Sequence, residues 1–107
     1  MLQMEDRRKL KRIRVDLPVH VQLLNESNVA ISKNEKQGML YDFSGGGCAF
    51  HHVDKFPVGD RLQLRIELND ELSQKYSMKE LTVRGTVVRS ARLDDGYMTS
   101  VQFTIDR

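Results

Sequence analysis

Two short stretches of the sequence carry residue types that can recognise a phosphorylated ligand, and the first is a basic block. Residues 7–14 read Arg-Arg-Lys-Leu-Lys-Arg-Ile-Arg and hold six of the chain's 17 Lys and Arg residues. A guanidinium group donates two parallel hydrogen bonds to phosphate oxygens or to the O6/N7 edge of guanine. Arg7, Arg8 and Arg12 are therefore candidate ligand-binding residues.

The second stretch places three consecutive glycines behind an acid and a hydroxyl. Gly45, Gly46 and Gly47 follow Asp42 and Ser44. Glycine can take positive φ at little steric cost, so the chain can turn sharply here and present its N–H groups to a ligand. A carboxylate can accept hydrogen bonds from N1–H and N2–H of guanine, and a hydroxyl adds one adaptable bond. A local Asx or Ser turn that braces the glycines is an equally open interpretation.

Composition limits the possible classes. A chain of 107 residues is expected to form one domain. The formal charge of +2 is too small for bulk nucleic-acid binding, and outside the basic block acidic residues outnumber basic ones. The sequence has no apolar run of membrane-spanning length and no secretory signal, so we expect a cytoplasmic protein. The single cysteine, Cys48, excludes an internal disulfide, and we predict that it is a small buried hydrophobic residue.

The elements that must position these residues are short strands, predicted by alternating apolar and polar residues. Strands are expected at residues 15–24, 38–43, 48–53, 62–68, 81–88 and 97–105. Asp94-Asp95-Gly96 is a strong hairpin signal, Pro18 indicates an edge position or a bend, and residues 69–79 predict a loop or one helical turn. We therefore predict an all-β fold, a small six-stranded antiparallel barrel over residues 15–107, preceded by a flexible basic leader over residues 1–14.

The two stretches, in this order and separated by one strand and a loop, resemble the PilZ domain family. Residues 8–12, Arg-Lys-Leu-Lys-Arg, fit its RxxxR motif, and residues 42–47, Asp-Phe-Ser-Gly-Gly-Gly, fit its (D/N)xSxxG motif. The resemblance covers essentially the whole chain. It implies a six-stranded β-barrel that binds cyclic di-GMP, a bacterial second messenger with two phosphates and two guanines. The matching ligand positions are Arg8, Arg12, Asp42, Ser44 and Gly47.

The resemblance leads to a signalling hypothesis in which the chain acts as a receptor or adaptor for an unidentified protein effector. Cyclic di-GMP is the expected ligand, with no further cofactor. We hypothesise that Arg7 holds a second, stacked molecule of the dinucleotide. Gly47 is expected to be glycine because a Cβ would collide with a base lying on the turn. Ligand binding is expected to order the basic leader against the barrel, which would carry the signal.

Other functions have weaker support. Ser44 lacks the Gly-x-Ser-x-Gly spacing of a hydrolase nucleophile, and no phosphate-loop Lys follows the glycines, so an enzyme is not expected. His51 and His52 point to opposite faces of a strand and His20 is alone, so no metal site is expected. The alternatives are a small barrel that binds single-stranded nucleic acid, which would require exposed aromatic residues for stacking, and a non-binding adaptor barrel.

Overall fold

Six strands form the architecture. The computed structural model describes residues 12–31 and 36–104. In chain order the strands are β1 (Ile13–Leu24), β2 (Lys36–Phe43), β3 (Gly47–His52), β4 (Arg61–Glu67), β5 (Glu80–Leu93) and β6 (Gly96–Phe103), with one helix, α1 (Asp70–Tyr76), between β4 and β5. They close into an antiparallel barrel in the order β1-β2-β3-β6-β5-β4. The predicted six-stranded antiparallel barrel is confirmed.

The apolar face of each strand fills the barrel interior. In β4, Leu62, Leu64 and Ile66 are buried, while the residues between them are partly exposed on the outer face. This is the alternation that the sequence predicts, because successive strand residues point to opposite sides. The same pattern on the other strands supplies the rest of the core, which includes Val19, Val21, Leu40, Cys48, Phe50, Val87 and Val101.

Strand β1 begins at Ile13, two residues before the predicted start, and residues 1–11 of the predicted leader lie outside the described residues. The first half of β1 pairs with β2 alone, and its pairing with β4 starts only at Val19. Pro18 therefore lies on a segment that is paired on one side, where a residue without a backbone N–H costs no ladder bond on the open side. The edge position predicted for Pro18 is confirmed.

Helix α1 is longer than the loop or single helical turn that the sequence predicts for residues 69–79. Asn69 caps its N-terminus, since its side chain accepts a hydrogen bond from the Leu72 N–H at 2.9 Å. Asp70 and Glu71 occupy the first turn, where acidic side chains interact favourably with the helix dipole. Leu72 is partly buried against the barrel core. Capping and this one apolar contact extend the helix to seven residues.

Strand β5 also runs five residues beyond its predicted end at Val88. Its pairing with β6 shifts register between Val87 and Arg89, which leaves Val88 as an extra residue. The strand then continues to Leu93 and turns through the hairpin predicted at residues 94–96. A β-bulge accommodates one extra residue without ending the strand, so the interruption of the apolar alternation at Val88 marks a bulge.

Candidate ligand-binding site

The structure brings together one residue from each of the two motifs, thirty positions apart in the sequence. Nη1 of Arg12, in the basic block, lies 3.0 Å from Oδ1 of Asp42, near the end of β2. The Arg12 side chain remains 60% exposed and that of Asp42 is 17% exposed. The basic block therefore meets the end of β2, next to the turn at residues 45–47 (the glycine corner), on the outer surface of the barrel. Arg7 and Arg8 lie outside the described residues.

The pairing of β1 with β2 explains this meeting. Arg14 stands opposite Asp42 in the ladder. Arg12, two residues before Arg14, is therefore close enough for its side chain to reach the Asp42 carboxylate. The Arg14 guanidinium lies over the ring of Tyr41, 4.7 Å from the ring centroid. The site therefore contains a further basic group besides Arg12, and this group stacks on an aromatic face. Sequence analysis did not select Arg14, because only the strand register shows that it lies opposite Asp42.

Ser44 is engaged by the corner itself. Its Oγ accepts hydrogen bonds from the N–H groups of Gly46 (3.2 Å) and Gly47 (3.3 Å) and donates to the Gly47 carbonyl (3.2 Å). The Ser44 N–H also donates to that carbonyl, at 2.8 Å. The side chain is almost completely buried. The Ser turn that the sequence left open is therefore present, and it holds the corner in shape beside Asp42.

The three glycines do not serve the conformational purpose that their sequence suggests. Within residues 12–31 and 36–104, the glycines with positive φ are Gly59 and Gly96. The turn at residues 45–47 therefore forms with negative φ at its glycines. Gly47 is required for a different reason. A Cβ there would lie 2.3 Å from the carbonyl oxygen of Val101 on the neighbouring strand β6. The approach of two strands therefore already excludes a side chain at Gly47, independently of any bound base.

Cys48 lies directly behind the site, inside the barrel. It is almost completely buried, as the sequence predicts. Burial in the core is the main cause that raises the pKa of its thiol from 9.0 to about 12; the Asp42 charge adds to the increase and the Arg12 charge opposes it. The thiol is thus protonated at neutral pH and has a packing role.

An apolar cavity of about 390 Å³ opens at the end of the barrel next to the glycine corner. Ser44 and Gly45 form part of its rim, and aliphatic and aromatic side chains form most of its wall, among them Ile13 of β1, Ile66 of β4, and Leu72 and Tyr76 of α1. Phosphate and guanine edges need hydrogen-bond donors and acceptors, which this lining does not offer. The polar candidate site is therefore the outer surface around Arg12 and Asp42.

Two histidines each contact a carboxylate and are not grouped in a cluster. His20 pairs with Glu67, and His51 Nε2 lies 3.0 Å from Asp95 Oδ1. In the described part of the chain, no group of three or more His, Cys, Asp or Glu side chains has the arrangement of a metal site. The described helix is also too short and too polar to cross a membrane.

Solved structures share this barrel. The Bacillus subtilis inhibitor of motility MotI/DgrA aligns with a TM-score of 0.69 at 19% identity, over 94% of this chain and 44% of that one. The PilZ domain of CeSA from a cellulose-synthesizing bacterium aligns with a TM-score of 0.58 at 21% identity, over 90% and 82%. The PilZ domain of Escherichia coli YcgR, solved with c-di-GMP, also aligns with a TM-score of 0.58, at 18% identity, over 91% and 77%.

These identities are low, so the three structures show a common fold, and this chain spans less than half of the length of MotI/DgrA. No match is found among curated proteins. The sequence itself matches the PilZ domain family over residues 6–107, which includes both the basic block and the glycine corner. With a match over nearly its whole length and a barrel of the same architecture, this chain belongs to the PilZ domain family.

Proposed function

We propose that this chain is a receptor for cyclic di-GMP that binds the dinucleotide on the outer surface around Arg12 and Asp42. The observation that carries the proposal is the contact between Arg12 and Asp42, which unites the two family motifs in one exposed site. The family match and the YcgR structure with c-di-GMP support the choice of ligand. The site offers binding groups rather than an activated nucleophile, so the proposed role is recognition and not catalysis.

Each group has a chemical counterpart on the ligand. Arg8 and Arg12 donate to phosphate oxygens or to the O6/N7 edge of guanine, and Asp42 accepts from N1–H and N2–H on the opposite edge. The glycine corner at residues 45–47, shaped by the Ser44 hydroxyl, leaves room for the ligand close to the backbone. Binding would exchange the exposed Arg12–Asp42 pair for contacts with the ligand. Because exposed ion pairs contribute only about 0–1 kcal/mol, this exchange costs little.

Titration calorimetry with cyclic di-GMP tests the proposal. We expect the wild type to bind at micromolar Kd or tighter, near −8 kcal/mol or better. Arg12→Ala should bind at least about tenfold more weakly, since the phosphate or guanine edge loses a charged partner. Arg65→Ala is the matched control, because Arg65 also pairs with a carboxylate, Glu80, at 3.0 Å. Equal affinity of wild type and Arg12→Ala, or binding of GTP and cyclic di-AMP as tight as that of cyclic di-GMP, would contradict the proposal.

The proposal includes a second dinucleotide stacked on the first and held by Arg7. Planar guanidinium groups stack on purine faces, which favours a further basic residue directly before the motif. Calorimetry should give two ligands per chain for the wild type and one for Arg7→Leu. One ligand in both proteins would eliminate the second molecule and leave the receptor proposal intact.

We further propose that binding orders residues 1–14 over the ligand and thereby signals to a protein partner or an attached domain in the bacterial cytoplasm. Hydrogen exchange should show greater amide protection of residues 1–14 with cyclic di-GMP than without it. Peptides from β4, which lies away from the site, provide the internal control. Equal protection of the leader in both states would argue against this relay.

A further inference from the structure

A row of outward-facing residues extends the candidate site across the barrel surface. Asp42 on β2 stands opposite Ala49 on β3, Ala49 stands opposite Ser100 on β6, and Ser100 stands opposite Arg89 on β5. Four neighbouring strands thus contribute one residue each to a single transverse line. The line starts at the Asp42 carboxylate and ends at a guanidinium group.

The residues next to this row show that it faces outward. Cys48 and Val101 precede and follow members of the row along β3 and β6, and both are buried in the barrel core. Because successive residues of a strand point to opposite sides, Ala49 and Ser100 lie on the outward face of the sheet, where Ser100 is partly exposed and Ala49 is 5% exposed. Both have small side chains, so the surface between Asp42 and Arg89 is a low shelf with a charged group at each end.

The β5 bulge determines which residue ends the row. Val87 pairs with Val101, and after the register shift Arg89, rather than Val88, pairs with Ser100. Without the extra residue, the half-exposed Val88 would stand opposite Ser100. Bulges commonly redirect a side chain at functional positions. Here the bulge puts a cation in line with Asp42.

Arg89 is available for a ligand. It is exposed, and within the described part of the chain its guanidinium forms no hydrogen bond or ion pair. Three strand spacings of ~4.8 Å separate its backbone from that of Asp42, a path of roughly 14 Å along the surface. The long Arg89 side chain can reach back over the shelf toward a molecule that lies against the partly exposed Ser100.

We propose that Arg89 is a further ligand-binding residue, which donates to a phosphate oxygen or to the O6/N7 edge of a guanine on the side of the ligand remote from Arg12. A cyclic dinucleotide has two phosphates and two guanines, so a ligand anchored at Asp42 presents a second set of acceptors away from that anchor. The guanidinium fork matches either acceptor pair. The inference rests on the proposed function and extends its site from β1 and β2 to β5.

Calorimetry with cyclic di-GMP tests the assignment on Arg89→Gln, with Arg92→Gln as the matched control. Arg92 is also exposed and lies three residues along the same strand, opposite Tyr97, so its side chain leaves the strand on the other face. Arg89→Gln should weaken binding by about fivefold or more, and Arg92→Gln should leave it unchanged. Thermal unfolding should be nearly the same in all three proteins, because Arg89 and Arg92 are exposed and surface substitutions usually change stability by less than about 0.5 kcal/mol.

A second pair of variants tests the shelf itself. Ser100→Glu would put a negative charge between Asp42 and Arg89 and should weaken binding by at least about tenfold. Thr82→Glu puts the same charge on an exposed position of β5 opposite Arg65, away from the row, and should have little effect.

The outcomes separate this inference from the function on which it rests. Wild-type affinity in Arg89→Gln, together with weakened binding in Arg12→Ala, would overturn the role of Arg89 and leave the receptor in place. Absence of cyclic di-GMP binding in the wild type would overturn both. Selective weakening in Arg89→Gln and Ser100→Glu, with unchanged controls, would establish the extended site.

Discussion

Arg12 and Asp42 lie thirty residues apart in the sequence, and their side chains meet at 3.0 Å on the barrel surface. The two charged groups therefore interact directly with each other. A ligand that engages both must separate or bridge them. The ion pair therefore holds the basic block beside the glycine corner. Because such exposed pairs contribute little to stability, a ligand can replace it at a small cost in free energy.

Asp42→Ala separates the role of this pair in binding from its role in folding. We expect at least a tenfold loss of cyclic di-GMP affinity, because guanine N1–H and N2–H lose their acceptor. The free energy of unfolding should change by less than about 1 kcal/mol, since exposed ion pairs contribute little. Calorimetry and urea unfolding measure the two quantities. Glu80→Ala breaks the Arg65–Glu80 pair on another part of the barrel and should leave the affinity for cyclic di-GMP unchanged. If Asp42→Ala bound as tightly as wild type, Asp42 would not be a ligand-binding residue.

Ser44→Ala should act mainly on the fold of the corner. The mutation removes the hydroxyl that accepts from the N–H groups of Gly46 and Gly47. Leaving partly buried donors without a partner costs about 1–3 kcal/mol. Urea unfolding should show a loss in this range, whereas Ser100→Ala, a partly exposed serine on the outer face of β6, should change stability by about 0.5 kcal/mol or less. Unchanged stability of Ser44→Ala would mean that the hydroxyl serves the ligand alone.

Gly47→Ala tests whether strand packing requires glycine at the end of the motif. An added Cβ would meet the Val101 carbonyl oxygen at 2.3 Å, so β3 and β6 would have to move apart. Overpacking of this kind costs typically about 1–3 kcal/mol, which urea unfolding without ligand can measure. Gly59→Ala gives a comparison, because a Cβ there meets nothing within 4 Å and only the backbone strain at φ +100° remains. A Gly47→Ala protein as stable as wild type would instead favour a role for Gly47 that appears only with a bound base.

The alternation of Leu62, Leu64 and Ile66 and the hairpin signal at residues 94–96 were sufficient to predict an antiparallel barrel, since both depend on residues close together in the sequence. The motifs likewise selected Arg12 and Asp42 as candidates, and the structure shows that their side chains are in contact. Two other positions could not be predicted: Arg14 lies opposite Asp42, and Arg89 lies at the far end of the row that starts at Asp42. Both depend on which strands pair and in which register. The bulge at Val88 alone shifts that register by one residue.

The glycine corner shows a different limit of sequence analysis. Three adjacent glycines predicted a sharp turn, and β2 indeed ends at Phe43 while β3 begins at Gly47. The reason for the glycine at position 47 is a contact with Val101, which lies more than fifty residues away in the chain. A steric requirement set by a distant strand leaves no local pattern. The sequence therefore located the corner, but not the interaction that makes Gly47 necessary.

Cys48 makes the stability of the barrel depend on pH in the alkaline range. Burial raises the pKa of its thiol from 9.0 to about 12, so the unfolded chain loses this proton at a lower pH than the folded chain does. The contribution to stability is therefore complete below pH 9 and decreases as the pH rises toward 12. At pH 10 the unfolded thiolate should lower the free energy of unfolding by about 1.4 kcal/mol relative to pH 8, in addition to the effects of other groups.

Cys48→Ala isolates this contribution, because lysines and tyrosines titrate alike in both proteins. Urea unfolding between pH 8 and pH 10 should show a steeper loss of stability in wild type than in the variant, whatever the difference at pH 8. Modification by a thiol reagent adds an independent measurement: a buried, protonated thiol should react only when the barrel opens, so the rate should rise with denaturant. Rapid labelling of the native protein at pH 8, or parallel stability curves for the two proteins, would show that the thiol behind Asp42 is neither sealed from solvent nor raised in pKa.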